Sequence, residues 1–233
     1  MFSIRSWAHL VSTSGSVLFP LYSKIQNDNE RIQSAFTRVF RLILAVMIPA
    51  SVGMLILAPE IVTYIYGSRW LPIVPILYIV VLFSLLKSFE YLVTPLFLGV
   101  GKPYISTVVM VFQSIIMFSV IFSFTESYGT VGTAMAALLG VLVAQVIYMI
   151  KLRQEIKLNL FTVLRESILP VLASLVMFGV LYGLKSQVFI GNHIIFVGTI
   201  VLGVAVYFST VLMLDRLFGR KLAESFLWIK QNI

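Results

Sequence analysis

The sequence contains no cysteine, which excludes a disulfide, a thiolate metal site and a thiol nucleophile and leaves the redox compartment unreadable. Histidine is nearly as scarce: His9 and His193 stand far apart, which argues against an imidazole metal centre. Charge is short as well. Asp, Glu, Lys and Arg make up 11% of the chain, whereas hydrophobic residues make up 60% and the mean hydropathy is +1.02. Soluble domains carry about 25% charged residues, so the composition excludes that class and indicates an integral membrane protein. The net charge of +8 does not imply nucleic acid, because the basic residues sit at the ends of apolar runs, where orientation and anionic headgroups use them.

What the sequence does contain is a series of apolar runs of about twenty residues, the length a helix needs to cross a bilayer. Barrel strands would be shorter and would alternate apolar with polar. The expected class is therefore an all-α polytopic membrane protein with about seven transmembrane helices. The expected spans are Phe2–Tyr22, Leu42–Leu57, Leu71–Gly101, Tyr104–Phe124, Val131–Ile150, Ser167–Leu184 and Ile194–Leu214. The first, with Ser12-Thr13-Ser14-Gly15-Ser16 in its middle, is too polar to face lipid. Pro49 and Gly53 predict a kink in the second, with a short interfacial turn after Pro59. Two polar connectors, Lys24–Arg41 and Lys151–Glu166, flank the central group; the first reads as a loop leading into a helix and the second as a short surface helix. Thr133, Ala136, Ala137, Gly140 and Ala144 form a small-residue ridge that lets backbones approach closely, and Gln113 reads as interhelical packing. The last two spans lack an ionisable residue and read as peripheral. Beyond them Asp215–Ile233 is amphipathic, with Arg216, Arg220, Lys221 and Lys230 placed for anionic headgroups.

One run departs from the rest. Leu71–Gly101 is apolar nearly throughout yet carries Lys87 and Glu90 inside the stretch that should lie in hydrocarbon. At helical spacing Ser84, Lys87, Glu90, Tyr91 and Thr94 fall within about a third of the circumference. Such a stripe faces protein or water, and ionisable residues inside a span mark a substrate or ion pathway by default. A second reading stands beside it: Lys87 and Glu90 neutralise each other, or Lys87 snorkels and only fixes the helix depth.

Seven spans alternate sides, and charge decides which side is which. Thirteen of the seventeen basic residues, from Lys24 to Lys230, fall on one side, Arg5, Arg69 and Lys185 on the other, and Lys87 between them. The positive-inside bias places the first side, and with it the C-terminus, in the cytoplasm. Met1 is then outside, so the chain reads as the later part of something longer.

Several phrases, taken in order, resemble the C-terminal half of Wzx-type lipid-linked oligosaccharide flippases, members of the multidrug/oligosaccharidyl-lipid/polysaccharide exporter superfamily. They are Val17-Leu18-Phe19-Pro20-Leu21-Tyr22-Ser23-Lys24, Leu57-Ala58-Pro59-Glu60 leading to Tyr66-Gly67-Ser68-Arg69-Trp70, Thr94-Pro95 leading to Gly99-Val100-Gly101-Lys102-Pro103, and Tyr128-Gly129-Thr130-Val131-Gly132-Thr133-Ala134. The resemblance runs from Val17 to Ile150. It implies the C-terminal lobe plus terminal helix pair of a fourteen-helix exporter: 1–153 as a transport lobe of five spans, the first cut short at its start, 154–217 as two peripheral transmembrane helices, and 218–233 as a cytoplasmic amphipathic tail.

It also implies translocation of undecaprenyl-pyrophosphate-linked sugar units across the cell inner membrane by alternating access, for surface polysaccharide biosynthesis, without cofactor or covalent chemistry. Lys87 would be a cation of the cavity between lobes, with Glu90 and Tyr91 orienting it. Arg38 and Arg41 would stand at its cytoplasmic mouth, unless they belong only to a solvated loop. The implied partners are the lipid-linked oligosaccharide, membrane lipids, and a missing N-terminal lobe or polysaccharide-assembly proteins. The rival readings are another exporter of the superfamily (a cation-coupled drug exporter or a lipid II flippase), a membrane-embedded polysaccharide enzyme, and a scaffold. Against the enzyme stand the short connectors of the outer side, which offer only Glu60, Glu126 and His193 as acid/base groups, none clustered.

Overall fold

A computed structural model of the chain describes residues 18–187 and 192–218. Most of the expected first span, His9 and most of the amphipathic tail lie outside them. The described residues form helix α1 (18–24), α2 (Asn29–Ile56), the short α3 (Ala58–Ile65), a 3-10 turn (Ser68–Ile73), α4 (Val74–Gly99), α5 (Tyr104–Ile156), α6 (Leu160–Gln187) and α7 (His193–Phe218).

The first connector is mostly helix. Asp28 takes the N-cap position of α2, its carboxylate accepting from the main-chain N–H of Glu30 and Arg31 at 3.1 and 3.0 Å, so the helix starts well before the apolar run. α2 runs through Pro49, and the break falls instead at Leu57, where α3 begins with Pro59 in its first turn, a position that needs no N–H donor.

α5 is folded back on itself. Its 53 residues would reach far beyond a bilayer if straight, but Gly129 leaves the helical region with φ 60° and ψ −139°, a combination open to glycine. The two arms then lie antiparallel: Thr125 and Thr133 join their hydroxyls at 2.8 Å, and Gly140 lies so close to Gln113 that an added Cβ would stand 2.9 Å from its carbonyl oxygen. Each arm exceeds the roughly 20 residues of a span. Gly132, Ala136, Gly140 and Ala144, spaced one turn apart, are buried along the second arm. The small-residue ridge is thus a packing surface between spans, as expected.

The second connector differs from expectation. No separate surface helix forms over Lys151–Glu166, because α5 continues to Ile156, Lys157 adopts a left-handed conformation (φ 54°), and α6 starts three residues later. The polar residues there are the ends of two spanning helices, and Gln33 Nε2 caps the first of those ends by donating to Ile156 O at 2.7 Å.

α4 lies against α5 and α2, with Phe89 edge-on to Phe36 and Phe40 at 6.2 and 5.6 Å between ring centres. α6 docks on α2 and α7 docks chiefly on α6. The loops fall into two sets. Gly99 meets Tyr22, Lys102 bonds Glu155 and Gln33 meets Ile156 at one end of the bundle. Lys185 reaches Ile56 and Glu60 at the other. Five helices among the described residues are long and apolar enough to cross a membrane, one of them being the two-armed α5. The protein is an all-α polytopic membrane protein, with α2, α4, both arms of α5, α6 and α7 traversing in alternate directions.

Candidate functional site in the middle of α4

Lys87 and Glu90 lie one turn apart on α4, and the structure joins them: Lys87 Nζ donates to Glu90 Oε2 at 2.7 Å. The two ends are unequally enclosed, the Glu90 side chain being 7% exposed and that of Lys87 23%. A second acceptor reaches the ammonium from the first arm of α5, where Gln113 Oε1 lies 3.3 Å from Lys87 Nζ. The second arm grips the preceding residue, Gln145 Nε2 donating to Leu86 O at 2.9 Å. Both arms of the hairpin therefore hold α4 at one level. One turn further along, the Tyr148 hydroxyl lies against Thr94 and Ser106. An ion pair in hydrocarbon is stable only when the remaining hydrogen-bonding positions of its members are supplied by neighbours, and Gln113 does that for the ammonium.

The stripe expected from helical spacing divides. Glu90 turns inward with Lys87 at its rim, whereas Ser84 and Tyr91 lie on the open side of α4, Tyr91 at 57% exposure. Arg38 and Arg41 belong to α2, and Arg41 is directed to α6, its Nε 2.5 Å from Glu166 Oε2 with both side chains largely buried. Arg38 is half-buried. Arg41 thus fastens α6 to α2, and at the far end Lys185 does the same from α6, donating to Ile56 O at 2.9 Å and pairing with Glu60 at 2.9 Å. A cation at the carbonyl end of α2 satisfies groups the helix itself cannot. Between these two ion pairs lies an apolar cavity of about 420 Å³, with Pro49, Met54, Met177, Leu181, Tyr207 and Phe208 among its lining residues. Tyr207 donates its hydroxyl to Ala45 O at 2.7 Å beside it. Outside the membrane-spanning segments, Lys102 has its pKa raised above the usual 10.5, chiefly by its hydrogen bond to Glu155.

Two members of the polar cluster were not anticipated in that role. Gln113 read as packing, and Gln145 carried no assignment. The signal available for both was the rarity of an amide side chain inside a span, where it must find a partner on another helix.

Among the described residues no group of three or more His, Cys, Asp or Glu side chains could hold a metal ion. The fold and the mid-span polar cluster together define a helical bundle of a polytopic membrane protein. Among solved structures the chain is similar to the lipid II flippase MurJ in its inward closed conformation: 93% of this chain aligns with 46% of that chain at a TM-score of 0.73 and 20% identity, a likeness of fold.

Sequence comparisons add relatives of the chain. Residues 4–75 match a family model described as polysaccharide biosynthesis protein. Over 123 residues the chain is 31% identical to an uncharacterized membrane protein in the cps region of Klebsiella pneumoniae. Over the same length it is 26% identical to the lipopolysaccharide biosynthesis protein WzxC of Escherichia coli K12. Each of these matches covers 53% of this chain and 25% of the relative. A third, 27% over 71 residues, is to the teichuronic acid biosynthesis protein TuaB of Bacillus subtilis 168, covering 30% of this chain and 15% of that protein. The chain thus matches about a quarter of the length of the first two curated relatives. The resemblance to Wzx-type flippases read from the sequence is borne out by these relatives and by the fold.

Proposed function

We propose that this chain is the C-terminal lobe of an exporter that moves a lipid-linked oligosaccharide, a sugar repeat on undecaprenyl pyrophosphate, from the inner to the outer leaflet of the cell inner membrane for surface polysaccharide biosynthesis. Residues 1–153 form the transport lobe, 154–217 its peripheral helix pair and 218–233 a cytoplasmic tail, with the basic connectors facing the cytoplasm. A second lobe, continuous with this one or separate from it, completes the cavity. The work is alternating access and involves no covalent step.

The observation that carries the mechanism is the Lys87 ammonium, held at the rim of a spanning helix by Glu90 and Gln113 and still partly exposed. A diphosphate crossing the membrane loses its hydration, and a fixed ammonium at mid-depth offsets part of that loss as a point charge. Tyr91 and Ser84, on the open side of α4, stand where a sugar would pass. A lipid II flippase reading has the fold in its favour but not the sequence relatives, which carry capsule-region, lipopolysaccharide and teichuronic acid names.

The test is a Lys87→Ala exchange in the complete exporter, scored by outer-leaflet oligosaccharide lipid reached by an impermeant lectin. Export should fall by at least about tenfold, the loss expected when a charged contact to a charged group is removed, at unchanged membrane levels. Normal export by that variant would overturn the assignment.

A further inference from the structure

Two acceptors meet the Lys87 ammonium, and they differ in charge. Glu90, one turn along the same helix and nearly enclosed, accepts from Nζ at 2.7 Å. Gln113, on the first arm of α5, places its amide oxygen 3.3 Å away. An ammonium only donates, so the amide turns its oxygen to Lys87 and steadies the amine without cancelling its charge. The carboxylate does cancel it. An anion that reaches Lys87 at the rim therefore meets a pair with no net charge, and the carboxylate behind the ammonium repels it, a dianion about twice as strongly as a monoanion. In a site that had only to hold a diphosphate, Glu90 would be out of place.

We propose that Glu90 is the residue that releases the substrate: it competes with the diphosphate for the Lys87 ammonium, holding the affinity down and the dissociation rate up. This rests on the reading of Lys87 as the anion contact. Were Gln113 the only other acceptor, a departing diphosphate would leave a lone ammonium at mid-depth, and the cost of that uncompensated charge would hold the anion in place. Glu90 removes that cost. Fixed on the same rigid helix, it stays at high effective concentration beside the amine, so the ammonium closes back on a counter-ion as the anion leaves. The exchange needs only rotation of the lysine side chain, and Gln113 keeps the amine at its level throughout. A site on a path across a membrane must bind well enough to be entered and weakly enough to be left, and the carboxylate supplies the second half of that requirement.

The experiment uses the complete exporter in nanodiscs of zwitterionic lipid and two probes of equal chain length, a polyprenyl methyl diphosphate, doubly charged, and a polyprenyl methyl phosphate, singly charged. Glu90→Gln keeps an acceptor for the ammonium and removes the charge. It should tighten diphosphate binding by roughly tenfold or more, through slower dissociation, and tighten binding of the singly charged probe less. In cells the same variant should lower both the maximal export rate and the substrate level that half-saturates it, a split that a merely structural role would not produce. Gln113→Glu, which adds a carboxylate at the other acceptor, should act in the opposite direction and weaken diphosphate binding. Unchanged or weaker diphosphate binding in Glu90→Gln overturns the proposal, as does undiminished maximal export despite slower dissociation, or unweakened binding in Gln113→Glu. Lys87→Ala separates the two levels. If it abolishes diphosphate binding while Glu90→Gln leaves the affinity alone, only the release role fails; if diphosphate binding survives it, the anion-contact reading itself fails.

Discussion

Gln145 on the second arm of α5 donates to the carbonyl of Leu86, and Leu86 immediately precedes Lys87, which Gln113 on the first arm engages. The hairpin and the charged helix are therefore registered to each other within one residue. Replacing Gln145 by Leu removes this cross-link while leaving the helical bond of Leu86 in place. It should lower stability by about 1 kcal/mol, the net worth of one hydrogen bond, and lower export further than that loss of folded protein explains. Thermal unfolding in detergent and export in cells, compared in the same variant, check it.

Charge exchange at Lys87 separates binding from packing. Lys87→Arg keeps a cation and should retain much of the export, since a diphosphate needs no particular donor geometry from a point charge. The double change Lys87→Met with Glu90→Met removes both buried charges and should yield a well-expressed but inactive protein. Recovery of export in that variant would make the pair a packing device.

Arg41 and Glu166 join α2 to α6 in a largely buried bond. Either single reversal, Arg41→Glu or Glu166→Arg, should cost about 3 kcal/mol by leaving like charges in contact, and the double reversal should regain most of it. A double-mutant cycle on unfolding midpoints measures the coupling; additive losses would show that the two ends do not communicate.

Lys102 and Glu155 join the short turn before α5 to its far end. Because the Lys102 pKa is raised in the folded chain, the pair contributes fully below the unfolded value of 10.5 and its contribution fades as pH rises through the higher folded value. The unfolding midpoint of the wild type should therefore fall more steeply than that of Lys102→Met above pH 10.5 and in parallel with it below.

Topology is open to a direct check, since the chain has no native cysteine. Asn29 and Asn159 are both exposed at the end of the bundle that carries the basic connectors. Cysteines placed there should resist an impermeant thiol reagent in intact cells and react in inverted vesicles. Labelling of either from outside would reverse the orientation.

The sequence made the spans legible because twenty apolar residues in a row have few other uses. It made the α5 turn legible because Gly129 follows a polar pair, Glu126 and Ser127. It could not show that Lys157 would take a left-handed conformation, a state for which lysine carries no signal. Nor could it show that Arg41, at the foot of an apolar run, has a partner 125 residues away. The α4 stripe shows the limit most plainly. Helical spacing says that Ser84, Lys87, Glu90 and Tyr91 share an arc, but the position of the neighbouring helix decides where the arc is cut, and here the cut leaves Tyr91 open and Glu90 enclosed. Gln145, by its rarity inside a span, signals that it needs a partner, but that partner is a main-chain carbonyl on another helix, and no side-chain pattern says which one.

The folding of α5 at Gly129 also bears on how the protein is made. α4 leaves the ribosome before either arm of the hairpin, so when it enters the membrane neither Gln113 nor Gln145 has yet come out to lie beside it. During that interval Lys87 has only the carboxylate one turn along its own helix to offset its charge. The i, i+3 placement of Glu90 thus serves the nascent span as well as the finished protein: a lysine whose counter-ion came from the later hairpin would have had to wait in hydrocarbon, or hold α4 at the translocon, until that hairpin was inserted.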